Sequence, residues 1–295
     1  LGHPHGFKKG FKTIKNNYLN QMQTQRILRF FCMNLTIALC LGCGSGERGC
    51  TDPNSLRYQP DATEDDGSCS YPEPGRTPLF LFFSQSNNAN AGTFGIPIFE
   101  KMVAEFGSSC FPIMVYPQTG DPLFSGTAVS LQSAMQTTFL PGFSLGNQTN
   151  LLTEQAIRNG WNIEQQQTAD ASADGRIFSI VQDSLEVEFN GVFHAPSQGQ
   201  FFANILLVEK NVPQAQAGIP NPGFVHPYVL RSSGASGGLG FQIATGNVPE
   251  GHSFRRKFKI PIQPGWSIGK LTACTIIWKI ENGQAQFVNA RLIPL

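Results

Sequence analysis

A chain of 295 residues with 40% hydrophobic residues has apolar material for a sizeable core and about two domains. Only 14% of residues are charged and the formal net charge is +1, so the balance gives no support to a nucleic-acid partner or to steering toward acidic ones. Polarity rests on Gln, Asn, Ser, Thr and Gly, and 24 Phe against 3 Trp and 5 Tyr, with 31 Gly and 20 Pro, favour a largely β protein with turn-rich connections.

Residues 1–21 are basic and carry no apolar core, which suggests an over-extended start with Met22 as the initiator. From there, 22–42 has the pattern of an export signal. Arg26 and Arg29 flank the run Phe30–Leu41, which is apolar except for Asn34 and Thr36, and Gly42-Cys43 follows. A positive flank, an apolar core of about 7–15 residues and a small residue before the cut make a secretory signal. The run is too short to span a bilayer, which takes about 20 residues. A cysteine directly after the small residue suggests a lipobox. The Cys43 thiol would then be acylated and would anchor the chain, since each buried CH₂ contributes about 0.8 kcal/mol. Such patterns prefer Leu where this chain has Cys40, and Cys40 itself follows the bulky Leu39. The alternative is an ordinary cleaved signal with Cys43 free.

Segment 43–76 is expected to hold the anchor, a linker and a small cysteine-bracketed module. Gly44-Ser45-Gly46-Glu47-Arg48-Gly49 spells a dinucleotide fingerprint but opens no βαβ unit, so it reads as a flexible linker. Cys50 and Cys69 bracket a stretch dense in turn formers and almost without a core of its own. Such a segment needs a staple, and a Cys50–Cys69 disulfide closing a loop of about 20 residues contributes roughly 3 kcal/mol. The same stretch offers Asp52, Asn54, Asp61, Glu64, Asp65 and Asp66 as oxygen ligands for a hard cation, calcium being the candidate cofactor. It lacks EF-hand spacing, and Asp and Asn also populate turns for backbone reasons alone. Its spelling, Cys-Thr-Asp-Pro to Asp-Asp-Gly-Ser-Cys, resembles a module of secreted and surface proteins of Bacteroidetes-type bacteria, where it serves as a spacer.

After the linker Tyr71–Gly75, residues 77–170 alternate strand and helix. Leu79–Phe83 is an apolar run fit for a buried strand. Ile96, Phe99, Met102, Val103 and Phe106 recur at helical spacing, with Pro97 tolerable in the first turn. Phe111–Tyr116 is a second strand, Ser125–Thr138 a second helix, and Phe143–Leu145 a short strand. Asn150 is positioned to cap a third helix over 151–167. This order predicts an α/β domain with parallel pairing across the first crossover.

The stretches LFLFFSQSNNANAG (79–92), FEKMVAEFGSSCFPIMVYPQTGDPLFSG (99–126) and FLPGFSLGN (139–147) resemble the 28-kilodalton outer-membrane lipoprotein family of Bacteroidetes-type bacteria. That resemblance implies a thioredoxin-like first domain, with Pro141 at the position of its cis-proline. Many relatives carry Cys-x-x-Cys after the first strand, whereas this chain has Ser86-Asn87-Asn88-Ala89-Asn90. Redox exchange needs a low-pKa thiolate beside a resolving thiol, and Cys110 stands beyond the helix. The domain is therefore expected to be degenerate, its scaffold kept without its redox chemistry.

Residues 171–295 change character. Ser184–Phe189 alternates polar and apolar, Phe201–Glu209 and Leu271–Ile280 are long apolar β-branched runs, Phe254–Ile260 alternates again, and Phe287–Ile293 closes the chain. Strands at this spacing predict an antiparallel β-sandwich. FFANILLVEKNV (201–212) followed by FVHPYVLR (224–231) keeps the order of the same family's second domain, so the resemblance runs through roughly 77–295. It implies an outer-membrane lipoprotein of a Gram-negative bacterium, without an established reaction and sometimes described as adhesin-like.

Several motifs need weighing. Gly234-Ala235-Ser236-Gly237-Gly238 spells a nucleophile elbow, but strand-like segments follow it and no helix does. His194, His226 and His252 lack ligand spacing, and a turn or core role suits His226 better than a metal. Arg255, Arg256, Lys257 and Lys259 could meet an anionic surface or a glycan, but a solvated strand face, or an edge protected by charge, is the better reading. The sequence thus predicts a non-catalytic outer-membrane lipoprotein with a binding, adhesion or structural role and an unidentified protein or glycan partner. The alternative is a periplasmic thioredoxin-derived protein that grips a peptide or a partner beside Pro141 without redox activity.

Overall fold

In a computed structural model of the chain, the described residues are 46–181 and 183–293. The expected signal and Cys43 lie outside them. The described chain falls into two compact units, one comprising 46–48 and 61–64 and the other 49–60 and 65–293. The first contributes most of β1 (Glu47–Gly49) and β2 (Ala62–Asp65), which pair in a small two-stranded sheet. Residues expected as flexible linker are therefore partly a strand, with Arg48 and Glu64 in an exposed ion pair at 3.6 Å.

In the second unit, β3 (Leu79–Phe83) is buried throughout. Side chains alternate along a strand, so Leu79, Leu81 and Phe83 enter one core cluster while Phe80 and Phe82 enter another. α1 (Ile96–Phe106) covers the second, placing Ile96, Phe99, Met102 and Phe106 against those two rings. A π turn at Ala91–Gly95 leads into it, and Gly95 is required there because a Cβ would stand 2.5 Å from Cζ of Phe82. β4 (Phe111–Val115) runs parallel to β3. Ser125 caps α2 (Gly126–Ala134), its Oγ accepting from Ala128 N at 3.2 Å, and Ala128 and Leu131 join the first cluster. β5 (Gly142–Leu145) lies antiparallel to β3, and β6 (Gln148–Leu151) antiparallel to β5. The expected cap at Asn150 is a correction. Asn150 sits within β6 with φ 55°, and Thr153 caps α3 (Glu154–Glu164) by accepting from Ala156 N at 3.2 Å. The segment before β3 is pinned by a buried ion pair between Arg76 and Glu164 and by Asn289 Nδ2, which donates to Gly75 O at 2.7 Å.

The remaining strands are β7 (Ala171–Val181), β8 (Ser184–Phe193), β9 (Ser197–Pro213), β10 (Val225–Ser233), β11 (Phe241–Val248), β12 (Ser253–Pro261), β13 (Leu271–Glu281) and β14 (Gln284–Ile293). β12, β8 and β7 form a three-stranded antiparallel sheet. The others extend the helix-covered sheet in the order β14-β13-β9-β10-β4-β3-β5-β6, with β11 also on β9. The join is parallel, Val229 of β10 facing Met114 of β4. β9 explains why the two halves of the sequence share one sheet. Its Phe201, Ala203, Ile205 and Leu207 pack toward the three-stranded sheet, while Leu206 and Val208 enter the cluster of β3 and β4. The fold is mixed α/β in its first half and β-rich in its second. Among the described residues no helix is long and apolar enough to cross a membrane.

Candidate functional site

The loop between β3 and α1, where relatives of the suggested family carry thiols, is held by groups from three other connections. Ser86 N donates to Asp121 Oδ2 at 2.6 Å, and the other oxygen of Asp121 accepts from Leu123 N at 2.8 Å. Asn88 Nδ2 donates to Leu140 O at 3.2 Å, while Asn88 Oδ1 accepts from Asn90 N at 2.9 Å and so turns the chain into the helix. Leu140–Pro141 is a cis peptide, standing immediately before β5. From the connection between β9 and β10, the buried Gln216 donates its amide to Gln85 O and Asn88 O, and Ala217 N donates to Ser86 O at 2.8 Å. Beneath this strap, Tyr116 and His226 are both fully buried, with Tyr116 Oη 2.7 Å from His226 Nδ1. Burial drives the His226 pKa down to about 4, so the ring is neutral. Its Nε2–H then donates to Gln214 O at 3.1 Å, leaving Nδ1 to accept from the tyrosine.

This arrangement leaves the loop without a free base or a thiol. Both ring nitrogens of His226 are occupied. Cys110 is buried, its thiol pushed up to about 12 by desolvation, and burial likewise raises Cys274. The two are unbonded. What the loops do expose is aromatic surface. Phe94 is 64% exposed, Phe139 51% and Phe124 39%. One stands on each of the connections that Asn88, Asp121 and Gly95 stitch together, the last because its missing Cβ would lie 3.4 Å from Pro141. Asp121, Gln216 and Tyr116 escaped the sequence reading. The Asp121-Pro122 turn spelling after β4 was the one signal for the first, and none marked the other two.

Cys50 and Cys69 are joined by a disulfide. The acidic residues between them do not converge, and no group of three His, Cys, Asp or Glu side chains suited to a metal exists among the described residues. Their oxygens close local turns instead. Asp52 accepts from Asn54 N, Asp65 from Gly67 N and Asp66 from Ser68 N. Asp52 also takes the hydroxyls of Tyr71 and Ser253. Burial works against its ionisation, but these hydrogen bonds outweigh it and hold the carboxyl below its usual range. Asp61 lies in the first unit. His194, His226 and His252 are likewise apart from any such group. Ser236 lies in a strand-to-strand connection between β10 and β11, where the neighbouring Gly238 permits close approach to the backbone of Ser130.

The basic cluster is partly structural. Glu188 of β8 is buried and receives Arg255 at 2.5 Å, Arg176 at 2.8 Å and Lys257 at 3.5 Å. Burial raises its pKa, but hydrogen bonds from Arg176 and Arg255, with the charges of Arg255 and Lys257, bring it below the usual value. Arg255 also donates to Pro53 O and Ser55 O, so it fastens the disulfide-closed module to β12.

By sequence, no family model and no curated protein matches the chain. Among solved structures, HBP35 of Porphyromonas gingivalis superposes with a TM-score of 0.60 at 15% identity, covering 77% of this chain and 76% of that one. The chain shares the fold of HBP35. A domain of the outer membrane lipoprotein Omp28 from Porphyromonas gingivalis is also a neighbour, with a TM-score of 0.30, 10% identity, and 43% and 88% of the two chains covered. A Bifidobacterium adolescentis GH3 beta-glucosidase gives a TM-score of 0.20 at 9% identity, over 43% of this chain and 17% of that one.

Proposed function

We propose that this chain is a non-catalytic lipoprotein of a Gram-negative outer membrane, anchored through Cys43, which binds an extended protein segment beside Pro141. The carrying observation is the stitched loop cluster. Most of its polar groups are bonded internally, Gln216 Oε1 being a buried exception, its described cysteines are bonded or buried, and three phenylalanines stand exposed around it. Exposed aromatic side chains on tied loops suit an interaction site. A thioredoxin-like reading of 77–170 is supported by the sequence of elements β3-α1-β4-α2-β5-β6-α3, with β4 parallel to β3 and β5 and β6 antiparallel. The antiparallel pairing of β12, β8 and β7 across a shared core from β9 and β13 supports a sandwich in the second half.

The binding test is a peptide array probed with the protein and with a Phe94→Ser/Phe139→Ser variant. Retention of aliphatic and aromatic peptides, weakened about tenfold in the variant, is the expected result. Equal retention, or none, rejects the binding face. An insulin-reduction assay should give no turnover, and any turnover rejects the non-catalytic reading. Membrane fractionation with a Cys43→Ala control tests the anchor, since release into the soluble fraction is expected. Protease treatment of intact cells then separates the two orientations: digestion places the protein at the surface, and protection until lysis favours the periplasmic alternative.

A further inference from the structure

We propose that the cleft at the start of β4, at the opposite end of that strand from Pro141, binds a short apolar peptide through its free termini. The cleft has a volume of about 550 Å³, within the range of roughly 300–1,000 Å³ typical of small-ligand sites. Its walls come from the end of α1, the start of β4 and the strands β7, β9, β10 and β14. Val103, Phe111 and Leu292 give it an apolar surface. Leu292 is 51% exposed and offers open apolar surface on that wall.

Three charged side chains share that lining: Asp174, Lys210 and Arg291. Among the described residues, no hydrogen bond or ion pair engages the side chain of Asp174 or of Lys210. Arg291 gives one NH2 hydrogen bond to Glu73 O at 2.8 Å, and its Nε is buried without a partner. The guanidinium charge of Arg291 is thus only partly satisfied by the protein, and a ligand carboxylate at its edge would add a charge-assisted contact. Two cations and one carboxylate beside apolar walls match a molecule carrying both charges on an apolar body. A carboxylate end meets Lys210 and Arg291, an ammonium end meets Asp174, and branched apolar side chains cover Val103, Phe111 and Leu292. A purely anionic amphiphile would leave Asp174 facing it unpaired, which disfavours that occupant.

The test is calorimetric titration of the intact protein with trileucine, with its N-acetyl and C-amide forms, and with decanoate as the anionic amphiphile. Free trileucine should bind, and each cap should weaken it about tenfold. In Asp174→Asn the acetyl cap should lose its effect, and in Lys210→Gln the amide cap should lose part of its effect, while both variants melt like the parent. No binding of free trileucine at millimolar concentration overturns the proposal. So does equal binding of the capped forms, or decanoate binding more tightly than the peptide. The cleft shares no residue with the loops around Pro141, so its failure leaves the binding reading above intact.

Discussion

At the scale of single residues, several polar groups in the interior have a discernible job, and His226 shows this best. It is enclosed by Tyr116 and Gln214, with Asp121 and Arg231 as the charged groups that act on it, and desolvation is the largest influence on its ring. Its pKa falls from 6.5 to about 4 on folding. The unfolded chain therefore binds a proton between those values that the folded chain does not, so stability rises with pH across that window. The contribution is complete above about pH 6.5 and is lost as pH falls toward 4. At about 1.4 kcal/mol per unit, the loss between pH 7 and pH 4 comes to about 3 kcal/mol. Urea unfolding at a series of pH values should show this slope, and His226→Gln should flatten it by that amount. A variant with the same slope as the parent would show that the ring is accessible to protons in the folded state. Glu188 adds a contribution of its own, present above the usual carboxylate range and lost as pH falls through its lowered value.

At the scale of elements, what could be read from the sequence follows from how strongly each segment's pattern is written. LFLFF, the Ile96–Phe106 periodicity and FFANILLVE gave β3, α1 and the centre of β9, because burial on one or two faces leaves a regular apolar trace. β6 and β11 left little trace, since all their residues but Val248 are half-buried or exposed and so write no regular apolar pattern. The same limit hid the site. Asp121, Gln216 and the exposed Phe94 and Phe139 stand on loops whose conformations no periodicity encodes. The cysteine-bracketed module is the opposite case, because its lack of core was itself the argument for a staple. Its docking rests on Asn54 donating to Ser253 Oγ at 3.1 Å, Asn190 to Ser70 O at 3.2 Å, and Arg255 on Glu188 and the Pro53 carbonyl. Cys50→Ser/Cys69→Ser should therefore lower stability by roughly 3 kcal/mol through loop entropy. Amide exchange should accelerate in 50–60 and 65–70, with β9 and β13 keeping their protection. Acceleration throughout the strands would mean that the module is needed for the core itself.

For the larger of the two units taken whole, the decisive feature is that no gap in packing separates its α/β part from its β-rich part. The cluster around Leu79, Leu81, Phe83, Phe111, Ile113 and Val115 is completed by Leu206, Val208, Leu230, Ile276 and Trp278. Those residues come from β9, β10 and β13, and β10 also supplies the hydrogen-bonding partner of β4. A fragment of residues 77–170 would keep α1, α3 and the opposite cluster around Phe80, Phe99 and Phe143. It would, however, expose six large apolar side chains and leave β4 as a bare edge. Each such side chain is worth about 1.5–3 kcal/mol of burial, so the loss is on the order of 10 kcal/mol, comparable with the whole stability of an ordinary domain. The exposed edge adds a template for aggregation. Expressed alone, the fragment should be insoluble or should lack dispersed amide signals, while the chain from Tyr71 onward should unfold in one cooperative transition by circular dichroism and by tryptophan fluorescence, with coincident midpoints. Trp161 on α3 and Trp278 on β13 report from the two parts. Their separate substitution by Phe would show whether both signals move together, and two distinct midpoints would establish that the parts fold independently despite the shared sheet.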